Sequence, residues 1–184
     1  MRKYRLLILP PLFIVFLSLS YFLYLNETSN FHPVTAGEAY RSAQLSRSEL
    51  ERHIQEYGLR SILNLRGENP DKEWYRDEIS VSKEYNLAHY DIALSAEREP
   101  TKEEVEKLMG IFRTAPRPIL IHCMGGADRS GLVSAMWKVS IDKETKKEAD
   151  GQLSIRYGHI PIGKTTAMDS FFENWNPSSP MNLN

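Results

Sequence analysis

The chain has 184 residues, 41% hydrophobic and 26% charged, with a formal net charge of −1. This excludes a disordered chain, and a charge so near zero excludes a dedicated nucleic-acid binder, which needs a basic face to neutralise phosphates. One cysteine excludes an internal disulfide framework, and the five histidines show no metal-like spacing.

The first feature in chain order is an uncharged apolar run, Leu6 to Leu25. As a helix rising ~1.5 Å per residue, a run of this length matches the ~30 Å hydrocarbon core of a bilayer. Arg2, Lys3 and Arg5 precede it and Glu27 follows, a charge bias that keeps the N-terminus in the cytoplasm and sends the remainder across. No small-x-small cleavage site follows the run, so an anchor is favoured over a cleaved signal, and Pro10 and Pro11 are expected to kink the helix. Residues 1–25 are therefore expected to be a membrane anchor or uncleaved signal, 26–37 a polar tether, 38–176 the globular domain and 177–184 a flexible tail. Without residues 1–25, which hold three of the 23 basic side chains and no acidic one, the net charge is −4.

Ser46 with Glu49 is a capping box opening a helix that stops at Gly58. Leu59 to Leu65 reads as a strand, closed by Arg66-Gly67 and Asn69-Pro70. A charged amphipathic stretch runs from Lys72 to Tyr85, with Trp74, Val81 and Tyr85 roughly on one face, and Leu87 to Leu94 is another apolar run. Thr101 with Glu104 opens a second helix, broken by Ala115-Pro116-Arg117-Pro118. Ile119-Leu120-Ile121 is typical of a buried parallel strand, Thr145 with Glu148 is a third capping box, and Thr165 to Trp175 a last helix. Strands alternating with helices predict an α/β fold, a central largely parallel sheet flanked by helices.

The stretch from Ile119 to Gly131, ILIHCMGGADRSG, combines a buried strand, a glycine-containing loop and an apolar helix expected to start near Ser130. Active sites of α/β folds lie at that strand edge, where successive N–H groups and the helix dipole favour an anion. The loop Met124, Gly125, Gly126 and Ala127 would cradle a phosphoryl group, the two glycines allowing close approach or positive φ. Cys123 there has the surroundings of a thiolate nucleophile, and Arg129 offers a planar fork for two phosphoryl oxygens. Ser130 would cap the helix and stabilise the departing thiolate. A lone cysteine is usually an inert small hydrophobe, and Cys-x5-Arg spacing alone carries little; the ordered set of strand, His, Cys, Gly, Arg, Ser, Gly and helix carries the inference.

HCMGGADRSG resembles the H-C-x5-R-[ST]-G signature of the cysteine-dependent protein tyrosine phosphatase superfamily. AYRSAQLS followed by LRSILNLRGENP is similar to a bacterial dual-specificity-like branch, and Gln152 to His159 resembles that branch's terminal helix. The resemblance spans Tyr40 to about Trp175. It implies the compact phosphatase fold, no metal or cofactor, a phosphocysteine intermediate, and a phosphorylated protein, foremost phosphotyrosine, or small phosphomonoester as substrate. It also implies that His122 orients the loop. Relatives often carry an acid aspartate on the loop before the cysteine strand, but Ser95 to Pro100 contains none. Asp128 is the first candidate acid, because some phosphatases with a D-R-[ST] loop are thought to use that aspartate; Glu97 and Asp91 follow. The remaining histidines read as surface or hydrogen-bonded groups, the tryptophans as core aromatics, and Lys143 to Lys147 as a solvated helix start. Three other readings stand beside this one: an inositol-phosphate or phosphoinositide phosphatase, disfavoured by the absence of loop lysines, a sulfurtransferase, and an inactive phosphate-binding module.

Overall fold

The computed structural model describes residues 2–177, with side chains from residue 13 onward. In chain order it holds α1 (Arg2–Glu27), β1 (His32–Thr35), β2 (Ala39–Ser42), α2 (Arg47–Tyr57), β3 (Ser61–Asn64) and α3 (Glu73–Glu84). There follow β4 (Ala88–Asp91), α4 (Lys102–Thr114), β5 (Ile119–His122), α5 (Asp128–Ser140), α6 (Lys146–Ala149) and α7 (Thr166–Asn174). The three capping boxes open α2, α4 and α6, each Ser or Thr accepting from an N–H whose glutamate bonds back. Gly58 ends α2 at φ 64°, the left-handed conformation a glycine adopts without steric cost.

The sheet order is β1-β2-β5-β3-β4, antiparallel between β1 and β2 and parallel elsewhere. The parallel register aligns Ser42, His122, Asn64 and Asp91 in one row, so the C-terminal ends of four strands form a single edge. Period-2 alternation splits the core. Ile119, Ile121, Leu63 and Leu65 face the layer of α4, α5 and α7, with Trp137 and Phe112, whereas Leu120 and Ile62 face α2 and α3, with Leu50 and Val81.

The expected tether contains β1, whose Val34 is buried while Pro33 is exposed on the outer strand, the place where a missing N–H costs no ladder bond. Asn30, just before it, is also buried. The buried stripe of α3 is Tyr75, Glu78, Val81 and Ser82, not Trp74 and Tyr85; Trp74 stacks against the Arg66 guanidinium at 3.6 Å. Gln152 to His159 is not a helix. Ser154 is extended and Gly158 left-handed at φ 79°, so only 3₁₀ turns form around it, at Asp150–Gln152 and Ile155–Tyr157. His53 is likewise neither exposed nor hydrogen-bonded: it stacks on Phe31 at 3.9 Å, and burial lowers its pKa.

The apolar N-terminal run lies within α1, but its side chains before residue 13 lie outside the described residues, as does the tail from 178. Residues 13–25 alone make about 20 Å of helix against ~30 Å of hydrocarbon. Among the described residues no helix is long and apolar enough to cross a membrane.

Candidate active site

Cys123 follows β5 directly and is 3% exposed, and the loop it begins runs into α5 at Asp128. Each loop carbonyl is taken from outside. Gln44 N–H donates to Met124 O at 3.1 Å, and Asn30 Nδ2 to Gly125 O at 3.0 Å. Arg41 Nη2 donates to Gly126 O at 2.8 Å and Ala127 O at 3.0 Å. Because C=O and N–H of a trans peptide point oppositely, carbonyls held outward turn the loop N–H groups inward, toward an anion seated over the sulfur. Gly126 has φ 69°, and a Cβ there would stand 2.6 Å from Ala43 N, so both conformation and space require glycine. Gly125 meets neither condition, with open space around it and no positive φ, contrary to the expectation for both glycines.

Arg41 is wholly buried and stacks over Tyr157 at 4.1 Å, while its Nη1 reaches Gln152 O at 2.7 Å. Burial brings its pKa down to about 10, countered by Tyr157, Cys123 and Asp128, so it remains a cation at neutral pH. Gly131 leaves room for it, since a Cβ there would lie 2.9 Å from Gln152 O and 3.2 Å from Arg41 Nη2. Arg129 is positioned by Leu65 O and Leu94 O, both 3.3 Å from its Nη1. Arg66 donates to Gln44 Oε1 at 3.0 Å; burial lowers its pKa, and repulsion by Arg129 adds to the effect. Arg41 and Arg66 thus lie within electrostatic reach of Cys123, and Arg66 stands beside Arg129.

Below the loop lies a polar network at the strand edge. The Glu78 carboxylate, 4% exposed, stands 3.0 Å from His122 Nε2 and 2.8 Å from His89 Nε2, and accepts from Gln44 Nε2 at 3.0 Å. Burial would raise its pKa, but the proximity of His122 and the bonds from His89 and Gln44 hold it well below the usual range. Burial would lower His89, yet Asp91 and Glu78 outweigh it and raise its pKa to about 9. Glu78 is the residue that sequence reasoning missed. Its only signal was a carboxylate placed three residues from both Tyr75 and Val81, on the buried stripe of an amphipathic helix.

The candidate acids separate clearly. Asp91 accepts from Asn64 Nδ2 at 2.7 Å and Tyr75 OH at 2.9 Å, and stands 3.3 Å from His89 Nδ1. Burial would raise its pKa, but these partners bring it down, which favours the anion on this partly buried side chain. Glu97 is 62% exposed and pairs with Lys164 at 2.9 Å. Asp128 alone lies on the loop, its Oδ1 2.7 Å from His159 Nδ1. Ser130 does not cap α5: it sits inside the first turn, with its Oγ buried and unpartnered, and the N-cap position is Ala127. A depression of about 370 Å³ flanks the loop, bounded by Phe22, Leu25, Asn30, Met124, Gly125 and Tyr157.

Residues 27–171 match the family model described as a DSP-PTPase phosphatase fused to NAD+ kinase. The core catalytic domain of the PP-IP phosphatase Siw14 from S. cerevisiae, in complex with citrate, superposes with a TM-score of 0.65 at 23% identity, over 82% of this chain and 87% of that one. TpbA from P. aeruginosa matches with a TM-score of 0.60 at 15% identity, over 82% and 87%. Its cysteine-to-serine variant in complex with pTyr gives 0.60 at 15% identity, over 80% and 85%. No curated protein matches the chain.

Proposed function

The chain belongs to the DSP-PTPase phosphatase family, and from that premise we propose that it hydrolyses phosphomonoesters, foremost phosphotyrosine, through a phosphocysteine. The observation that carries this reading is the loop after Cys123 whose carbonyls from Met124 to Ala127 are held outward, which turns its N–H groups inward, with Arg129 on the first turn of the helix that follows. Cys123 Sγ attacks phosphorus as the ester P–O bond breaks, and Asp128 gives its proton to the leaving oxygen. Water then attacks phosphorus, Asp128 takes a proton from it, and the S–P bond breaks to return the thiolate. Arg129 and the loop N–H groups hold the phosphoryl oxygens in both steps.

Phosphotyrosine is supported by the fold shared with TpbA, whose variant binds pTyr, and by the absence of loop lysines. A second reading, an inositol polyphosphate or pyrophosphate, is favoured by Arg66, a second guanidinium set beside Arg129, and by the fold shared with the PP-IP phosphatase. Hydrolysis rates on phosphotyrosine, phosphoserine, phosphoinositide and inositol polyphosphate substrates separate the two. Cys123→Ser is expected to abolish turnover while keeping substrate binding, and Arg129→Lys to lose most activity, since an ammonium cannot form the paired contact. Turnover of Cys123→Ser within tenfold of wild type would overturn the mechanism. No turnover of any aryl phosphate by the wild type would leave an inactive phosphate-binding module.

We also propose that the N-terminal run anchors the protein, with the N-terminus cytoplasmic and the catalytic domain outside. The support is the uncharged run behind Arg2, Lys3 and Arg5, and a helix whose C-terminal end docks on the domain. Leu25 is buried there and Tyr21 OH donates to Arg156 O. An impermeant protease added to cells with an opened outer barrier should remove the domain; full protection would reverse the topology.

A further inference from the structure

His159 lies outside the loop motif, yet it touches the loop. Its side chain is completely buried, with Nδ1 2.7 Å from Asp128 Oδ1 and Nε2 3.0 Å from Asp169 Oδ2 on α7. The segment carrying it is fixed independently of this contact: Tyr157 O accepts from Asn30 Nδ2 at 2.9 Å, and His159 N–H donates to Ser154 O. Gly158 brings the chain against Ala127, where a Cβ would lie 3.9 Å from the Ala127 Cβ. A row of carboxylate, imidazole and carboxylate therefore runs from the phosphate loop to the outer helix.

An imidazole flanked by a carboxylate at each nitrogen can satisfy both only when both nitrogens carry protons. The charged groups around it are Asp128 from α5 and Asp169 from α7. Arg41 lies beyond Asp128, and on its own segment Arg156 turns away over the Tyr157 ring, 5.5 Å from its centroid. Burial would lower the pKa of His159, but its bonds to Asp128 and Asp169 outweigh this and raise it. Asp128 in turn keeps 30% of its side chain exposed, so one oxygen faces His159 while the carboxyl still reaches the solvent side.

We propose that His159, held by Asp169, is a positioning residue that stores the proton Asp128 delivers to the leaving group. The proposal rests on the reading of Asp128 as the general acid. Asp128 starts protonated on its solvent-side oxygen; as the P–O bond breaks, that proton goes to the leaving oxygen and the Nδ1 proton of His159 passes to Asp128 Oδ1. The imidazole is left neutral, with its Nε2–H still donated to Asp169. When water attacks the phosphocysteine, its proton enters at Asp128 and the Nδ1 proton returns to His159. The pair thus carries one transferable proton per turnover, and the pH at which acid catalysis fails is set by the imidazole and Asp169 together, not by a lone carboxyl.

The test compares the pH dependence of kcat for an alkyl phosphate, which needs a proton on its leaving oxygen, and for 4-nitrophenyl phosphate, which does not. Because His159 is fully buried and His159→Gln risks misfolding, Asp169→Asn on the half-exposed end of the row is the primary variant. It should move the descending limb of the alkyl-phosphate profile down by about one pH unit and raise the nitrophenyl-to-alkyl rate ratio at alkaline pH roughly tenfold. His159→Gln should do the same more strongly. An unmoved limb, or equal movement on both substrates, would overturn the proposal if Asp128→Asn still slows the alkyl ester selectively. Equal slowing of both substrates by Asp128→Asn would instead remove the acid role of Asp128, and the proton store with it.

Discussion

The loop after β5 and the loop after β4 leave the same edge of the sheet and are held by opposite kinds of contact. The first, Cys123 to Arg129, is fixed by donors on β2 and the segments around it, the buried Asn30 and Arg41 and the half-buried Gln44. The second, Ser95 to Pro100, is held by surface pairs, Arg98 with Glu104 and Lys164 with Glu97. A buried charged donor that loses its acceptors costs several kcal/mol, whereas an exposed pair contributes about 0–1 kcal/mol. Atoms that must keep their places while a dianion binds and leaves are therefore on the first loop.

Four substitutions would break or sharpen this contrast. Arg41→Met should have the largest effect, since it strips the donors from Gly126 O, Ala127 O and Gln152 O at once. A fall in kcat/KM of about 100-fold and a loss of ~3 kcal/mol in urea unfolding are expected. Activity within tenfold of wild type would show that Asn30 and Gln44 suffice. Gly126→Ala forces a Cβ to 2.6 Å from Ala43 N in left-handed backbone, and should cost ~2 kcal/mol and about tenfold in rate.

His89→Asn acts beneath the loop and should alter pH dependence more than turnover. His89 holds its proton more tightly folded than unfolded, so its contribution to stability is whole below about pH 6.5 and is lost as pH climbs through about 9. Glu78 runs the other way, its contribution whole above the unfolded carboxylate range and lost as pH falls. Urea midpoints of the wild type should thus decline between about pH 6.5 and 9, and His89→Asn should flatten that decline; an unchanged slope would place the titration elsewhere. Glu97→Gln should have the smallest effect, within about twofold in rate on alkyl and aryl phosphates alike, because its partner Lys164 is 76% exposed. Selective slowing of the alkyl ester would move the acid onto the second loop.

Much of the fold was legible because its signals are local. Capping boxes at Ser46, Thr101 and Thr145 each opened a helix, and Gly58 closed one. The apolar triplet Ile119-Leu120-Ile121 lies in β5, at the middle of the sheet. The anion loop was legible for the same reason, since its cysteine, glycines and arginine are contiguous. Two of the misreadings share one cause: a residue's role was decided by a partner far away in sequence. β1 was hidden in a polar stretch because an outer strand with Pro33 needs β2 beside it to exist. Gln152 to His159 has helix-like composition, but its carbonyls serve Arg41 and Asn30.

The sequence by itself determined the chemistry on offer: one thiol, one guanidinium six residues on, and a glycine-bearing turn between strand and helix, all contiguous along the chain. Only the tertiary structure decided which carboxylate is which. Asp91, Glu97 and Asp128 are alike as side chains and differ in what surrounds them. Asp91 is kept anionic by His89, Tyr75 and Asn64, Glu97 is solvated beside Lys164, and Asp128 is joined to His159 and Asp169. A carboxyl's proton affinity is set by burial and by charges within a few ångströms, and those neighbours come from strands and helices that only folding brings together.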